Sequence, residues 1–228
     1  MKTIKVRALV LKEYEVGEAD KRLLLLCKDV GRIMVYARGA RKSRSKFLAA
    51  AQIFTYSDFI LAQGRGFYSL AQADVIENFY ELRTDYDILC AAHFIAEVCD
   101  KTLLEKSNCD ELLLLVLKSL SILTKKKFPP KQIISVFLFR FFNFYGLRPN
   151  TKINFSQEKF FWGKEGLLSE EKISSEKIQI SKSAIDAADF ILNSDLSKSF
   201  MFEAHDSVLD ELHNAAMLIW ERALLDFL

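Results

Sequence analysis

The sequence predicts an α+β protein: a small N-terminal five-stranded barrel, then an all-helical domain carrying an irregular insert. Three observations predict it. Over residues 1–70 apolar side chains tend to recur at every second position, as in half-buried strands. From about residue 85 they recur at helical spacing. Between residues 148 and 180 neither period holds, over a stretch too long for an ordinary bundle loop.

The elements follow in order. Residues 3–12 alternate, with Ile4, Val6, Ala8 and Val10 on one face and Lys5 and Arg7 on the other. Gly17-Glu18-Ala19-Asp20 breaks this strand, and Leu23–Cys27 is the second. Asp29-Val30-Gly31 is a turn. Arg32–Arg38 is the third strand, with Ile33, Val35 and Ala37 on one side and Arg32, Met34, Tyr36 and Arg38 on the other. Gly39–Lys46 is a basic loop. Ile53–Leu61 and Phe67–Ala71 read as two further strands joined around Gly64-Arg65-Gly66. Five short strands in this length suit an OB-fold, with an SH3-like barrel as rival. Helices are expected at Tyr86–Leu104, Asp110–Thr124, Lys131–Tyr145, Ser183–Asn193 and Asp206–Phe227. Pro129-Pro130 opens the third helix, and Gly146 followed by Pro149 closes it. Val208–Phe227 is more apolar than one stripe requires, so it is expected to pack in a core. The expected domains are residues 1–80 and 81–228.

Charge divides along the chain. The formal net charge is only +2. Residues 1–70 hold 14 Lys/Arg against 6 Asp/Glu, a net of +8, and the remainder nets −6. No acid lies between Asp29 and Asp58, whereas Arg32, Arg38, Arg41, Lys42, Arg44 and Lys46 do. A long, single-signed, Arg-rich run points to a polyanion site rather than a merely solvated loop. The outward face of the third strand is basic and aromatic, the combination that nucleic acid prefers. Tyr36, Phe67 and Tyr68 are candidate stacking platforms, although core packing explains Phe67 and Tyr68 equally well. Arg65 adds a cation at the second hairpin. The acidic remainder suits protein contacts. Its exception, Lys125-Lys126-Lys127, reads best as a soluble helix end.

Catalytic signatures are missing. The sequence has no phosphate loop, no Gly-x-Ser-x-Gly elbow and no Cys-x-x-Cys pair. His205 and His213 stand two helical turns apart, too far for a metalloprotease pair. Cys27, Cys90, Cys99 and Cys109 read as reduced, buried thiols, and Cys90, His93 and Cys99 fit no common metal spacing. The charged start Met1–Arg7 is no signal peptide, and Ile133–Leu147 is too short and is interrupted by Arg140, so a cytosolic protein is expected. A non-enzymatic binding protein follows. An RNA-binding barrel and a protein-interaction adaptor are the alternatives.

Ala8-Leu9-Val10-Leu11, Gly17-Glu18-Ala19-Asp20, Gly31-Arg32-Ile33 and Ala37-Arg38-Gly39-Ala40-Arg41-Lys42-Ser43-Arg44-Ser45 occur in an order and spacing that resemble the RecO family of bacterial recombination mediators. Phe142–Pro149 looks like that family's helix end before its zinc insert. The resemblance implies an N-terminal OB-fold and a helical C-terminal domain. It implies binding of single- and double-stranded DNA and annealing of complementary strands. It further implies cooperation with RecR and with the acidic tail of single-strand-binding protein to load RecA, in the cytoplasm at the nucleoid, in what is called the RecFOR pathway. The DNA-binding residues would be Arg32, Tyr36, Arg38, Arg41, Lys42, Arg44, Lys46 and Arg65. Many RecO proteins carry four zinc-binding cysteines in the insert. Aligned on Gly146, Pro149 and Gly166-Leu167-Leu168, those positions hold Asn154, Gln157, Ser169 and Lys172. No zinc and no other cofactor are therefore expected.

Overall fold

The structure, a computed structural model, describes residues 2–102, 109–152, 159–168 and 177–227. It divides into two compact units, Met1–Leu114 and Leu115–Leu228.

The first unit is built on five strands: β1 (Thr3–Val16), β2 (Asp20–Cys27), β3 (Gly31–Ala37), β4 (Tyr56–Gln63) and β5 (Tyr68–Glu77). They close in the order β1-β2-β3-β5-β4, with β4 returning to β1. Neighbours are antiparallel except β3 and β5, which pair in parallel over only Val35↔Tyr68 and Tyr36↔Ser69. That crossed closure is the OB-fold arrangement, and it disposes of the SH3-like rival.

The barrel interior takes the alternate residues Val6, Ala8 and Val10 of β1, Leu23 and Leu25 of β2, Ile33 and Val35 of β3, and Phe59 and Leu61 of β4. The Leu run of β2 does not alternate in burial, because Leu24 and Leu26 on its other face are buried too, as are Leu9 and Leu11 of β1. A helix, α1 (Tyr86–Thr102), packs against β1 after a 3-10 turn at Tyr80–Thr84. A strand covered on both faces reads as a continuous apolar run.

Several strand boundaries differ from expectation, β2 beginning at Asp20 and β5 running from Tyr68 to Glu77. β1 runs on to Val16, past a register shift between Val10 and Lys12 that bends it. β4 begins at Tyr56, because Phe54 adopts φ 66°, outside the strand region. Phe54 is nonetheless fully buried, edge-on to the His93 ring at 5.1 Å. The segment between β3 and β4 is no open loop. Its Ala40, Phe47, Ala50 and Ala51 enter the barrel core and plug one end of it.

Three of the four cysteines are buried as expected: Cys27, Cys99 and Cys109. Burial pushes the Cys27 thiol up to about 12 and raises Cys99 as well, so neither offers a thiolate near neutrality. Cys90 is exposed, contrary to expectation.

In the second unit, α2 (Asp110–Thr124) ends at the lysine triplet, with Lys126 in the left-handed region at φ 52°. α3 (Pro130–Phe144) opens on Pro129-Pro130 and closes with two bonds: Gly146 N–H donates to the Asn143 carbonyl and Leu147 N–H to that of Phe142. Gly146 sits at φ 74°, as this helix ending requires. α4 (Lys182–Asn193) is capped by Ser181, whose Oγ accepts from Ala184 N–H at 3.2 Å. α5 (Asp206–Phe227) buries Leu209, Leu212, Ala216, Ile219 and Trp220. The described part of the insert holds short strands that its sequence does not announce. β6 (Phe160–Gly163) pairs with β7 (Gly166–Leu167) and β8 (Ile178–Ile180). Trp162 anchors this small sheet, fully buried and edge-on to Phe139 of α3 at 5.9 Å. No described helix is long and apolar enough to cross a membrane.

His213 on α5 gives this unit a pH dependence. Its ring is half-buried, with Nδ1 3.5 Å from Ser135 Oγ of α3, and burial holds its pKa below the ordinary 6.5. The unfolded chain therefore takes up a proton that the folded protein refuses. This penalty is absent above neutrality and grows as pH falls below about 6.5. Melting temperature is expected to drop between pH 8 and pH 5.5, and His213→Gln to flatten part of that drop. A variant with an unchanged pH profile overturns this. The opposite case, Asp58, whose pKa is lowered chiefly by its hydrogen bond from Arg7, matters only below about pH 4.

Candidate nucleic-acid interface

The basic run is held in place by a lock between two turns. Asp20, ending the β1–β2 turn, accepts from the Gly39 N–H at 2.7 Å. The Ala19 carbonyl accepts from Arg41 N–H at 2.9 Å. The Arg41 guanidinium donates to the Gly17 carbonyl at 2.8 Å and pairs with Glu15 at 3.0 Å. Gly39 adopts φ 69°, a conformation in which a side chain would be strained. The Gly-Glu-Ala-Asp and Ala-Arg-Gly-Ala-Arg pieces, separated in sequence by Lys21–Tyr36 of β2, its following turn and β3, are thus two halves of one hydrogen-bonded structure. Arg41 spends its charge inside it.

The other cations divide into two groups. Arg32 is drawn to the helix side: its guanidinium donates to the Asp100 carbonyl of α1 and lies 3.1 Å from the Asp100 carboxylate. Lys12 reaches the same carboxylate at 3.1 Å, and this hydrogen bond raises the lysine's pKa. Lys46 donates to the Ala71 carbonyl of β5 at 3.0 Å and lies over the Phe47 ring at 4.9 Å, so it fastens the loop yet meets no carboxylate. Arg38, Lys42, Arg44 and Arg65 are exposed and make no ion pair among the described residues. They form the available set.

Of the aromatic candidates, Tyr36 and Phe67 are 37% and 41% exposed, with ring centroids 5.9 Å apart at 85°. Core packing therefore does not explain Phe67. It does account for Tyr68, which is partly buried against the barrel core. Sequence reasoning missed Gly64 and Met34, which line a crevice beside Phe67. The Gly-Arg-Gly tip was the available signal, though it reads equally as a plain hairpin turn.

The surface can therefore neutralise phosphates with unpaired guanidinium and ammonium groups and stack bases on two exposed rings.

Asn154, Gln157, Ser169 and Lys172 lie outside the described residues. The expectation of no zinc rests on their chemistry alone. A structural zinc site needs thiolates and imidazoles, and amides, a hydroxyl and an ammonium supply neither. The apolar burial of Trp162 stabilises the described part of the insert instead. Metal analysis of purified protein is expected to find no stoichiometric zinc, and one equivalent per chain overturns this.

Comparison with known proteins agrees with this architecture. The profile of the family described as recombination protein O, N terminal, matches residues 1–79, and that of recombination protein O, C terminal, matches residues 83–226. A DNA repair protein RecO of Acetivibrio thermocellus is 34% identical over 93% of this chain and 88% of its own length. One from Caldicellulosiruptor saccharolyticus is 26% identical over 87% and 84%. Another, from Alkaliphilus metalliredigens, is 33% identical over 64% and 60%. With both halves matched in order on a closed barrel and a helical body, the chain belongs to the RecO family of DNA repair proteins.

Proposed function

We propose that this protein is a non-catalytic mediator of homologous recombination that binds single- and double-stranded DNA, anneals complementary strands and, with RecR, helps load RecA onto strands coated by single-strand-binding protein. The observation that carries this is the set of unneutralised cations, Arg38, Lys42, Arg44 and Arg65, on a barrel whose other basic residues are mostly paired or fastened. Residues 1–80 are the DNA-binding module in this reading, and residues 81–228 serve protein partners.

Annealing follows from the same charges. Two complementary strands repel each other through their phosphates. A positive surface screens that repulsion, and contacts to phosphate alone leave the base edges free to pair. Such contacts carry no sequence preference, which suits a protein that must act at any break. The acidic tail of single-strand-binding protein is the expected partner of a cationic patch, and RecR of the acidic helical surface. The site of action is then the cytoplasm, at the nucleoid.

The test is a strand-annealing assay with complementary oligonucleotides at two salt concentrations. Annealing faster than the spontaneous rate and weakened by salt supports the reading. No acceleration at low salt overturns it. Parallel binding to RNA of the same sequence, tighter than to DNA, would favour a general RNA-binding protein instead.

A further inference from the structure

β5 outlasts its neighbour. β3 ends at Ala37, having paired with β5 only at Val35↔Tyr68 and Tyr36↔Ser69, whereas β5 continues along β4 to Glu77. From Leu70 onward one edge of β5 therefore has no strand beside it among the described residues. The register shifts on this strand fall at Ala71 and Ile76 and bracket Gln72–Val75, which pairs regularly with Ser57–Ile60.

The ladder decides which groups face that edge. Lys28 N–H donates to the Arg7 carbonyl at 2.9 Å, so the main chain of Arg7 faces β2. Opposite Arg7, the main chain of Asp58 then faces β5, and that of its partner Asp74 faces β4 in return. By alternation, the N–H and C=O groups of Ala73 and Val75 face outward. The Lys46 ammonium on the Ala71 carbonyl, two residues earlier, obeys the same alternation. Beyond that cap, no loop or side chain bonds to this edge among the described residues. Open edges are usually blunted by Lys or Pro, and Gln72–Glu77 holds neither. Val75 and Ile76 are 43% and 48% exposed.

Charge selects the occupant. On a basic barrel, Asp74–Glu81 holds three acids, Asp74, Glu77 and Glu81, and no Lys or Arg. All three are exposed and make no ion pair among the described residues. Glu77 uses one carboxylate oxygen on the Asn78 and Phe79 N–H groups. A nucleic acid is repelled here. A second copy of β5, laid antiparallel across a two-fold axis, brings these acids against themselves. A basic strand is attracted.

We propose that the open edge of β5 at Gln72–Val75 accepts an extended basic segment of a partner protein as an added strand. Its main chain pairs with Ala73 and Val75, its Lys or Arg side chains meet Asp74 and Glu77, and an apolar residue covers Val75. This goes beyond the DNA-binding reading and does not depend on it: the barrel then offers protein contact on one strand and cations on another.

The experiment uses a fluorescent Lys-Val-Lys-Val-Lys-Val peptide and the full chain, with binding read by anisotropy. Val75 N–H points away from β4, so Val75→Pro removes an edge donor without breaking the β4–β5 ladder. It is expected to weaken binding about tenfold. The same peptide N-methylated at alternate residues, which keeps every charge, is expected to lose as much on the wild-type protein. Asp74→Lys is expected to reverse the preference in favour of a Glu-Val peptide. Thermal melting checks that the variants fold, and the N-methylated peptide needs no variant. Equal binding of the plain and N-methylated peptides overturns the added strand, and so does a wild-type protein that binds neither. Concentration-dependent dimers that Val75→Pro abolishes would assign the edge to a second copy and overturn it too. Each of these outcomes leaves DNA binding, measured alongside, unaffected.

Discussion

Replacing Arg38, Lys42 and Arg44 together with alanine is expected to weaken single-stranded DNA binding about a hundredfold at 0.1 M salt. Each phosphate contact on a single strand contributes roughly −0.7 to the slope of log affinity against log salt, which is about a fivefold factor at that concentration. With Arg65 as the fourth contact, the wild-type slope is expected near −3 and the variant's near −1. Annealing should fall in step, because it uses the same screening. The choice of residues matters. Arg41 belongs to the same run, but it is bound to Gly17 and Glu15, and removing it would loosen the turns as well as remove charge. Arg32 is held by Asp100. The triple variant spares both, so its melting temperature should stay near wild type. An unchanged salt slope would place the DNA elsewhere on the molecule.

Phe47→Ala is expected to have the largest effect on stability. The ring enters the barrel core from the segment after the basic loop and is only 7% exposed. Removing a buried phenyl ring costs about 3–5 kcal/mol through lost burial and the cavity left behind. At about 2–4 °C per kcal/mol for a chain of this size, melting should fall by roughly 10 °C. The loss should also reach function. Lys46, the neighbouring residue, rests on this ring and fastens the loop to Ala71 of β5. Without that anchor, Lys42 and Arg44 must be ordered when DNA binds, so affinity should drop even well below the melting temperature. A melting change under 2 °C would show that the plug does not stabilise the barrel. Normal DNA affinity in a destabilised variant would show that the loop is held by the Asp20–Gly39 lock alone.

The two variants separate charge from scaffold. One alters the salt slope and spares the fold. The other alters the fold and spares every charge.

Local pattern revealed much of this protein. Strand alternation needs only neighbouring residues, so all five barrel strands were legible, with the larger errors at the ends of β1, β2, β4 and β5. The errors in β1 and β4 share a cause. A bulge at Val10/Lys12 and the left-handed Phe54 are backbone events forced by closure of the barrel, and no side-chain period announces them. The ends of α2 and α5 were legible to the residue, because an aspartate opens each and the lysine triplet follows α2. The sheet β6–β8 was not, because its strands are two to four residues long and too short to show a period.

For the candidate site the division is sharper. The sequence by itself determined the family, the fold class, the surplus of positive charge at the N-terminal end and the absence of zinc-binding cysteines. Only the tertiary structure decided which cations are available. Arg32 and Lys12 meet Asp100 across 68 and 88 residues of chain, and Lys46 meets Ala71 across 25. An ion pair depends on distance in space, and a linear charge count cannot see that. The crevice beside Phe67 likewise exists only because β3 and β5 meet over two residues and then part. Periodicity reports which side of a strand is buried. Which strand lies beside it, and for how long, is settled when the barrel closes.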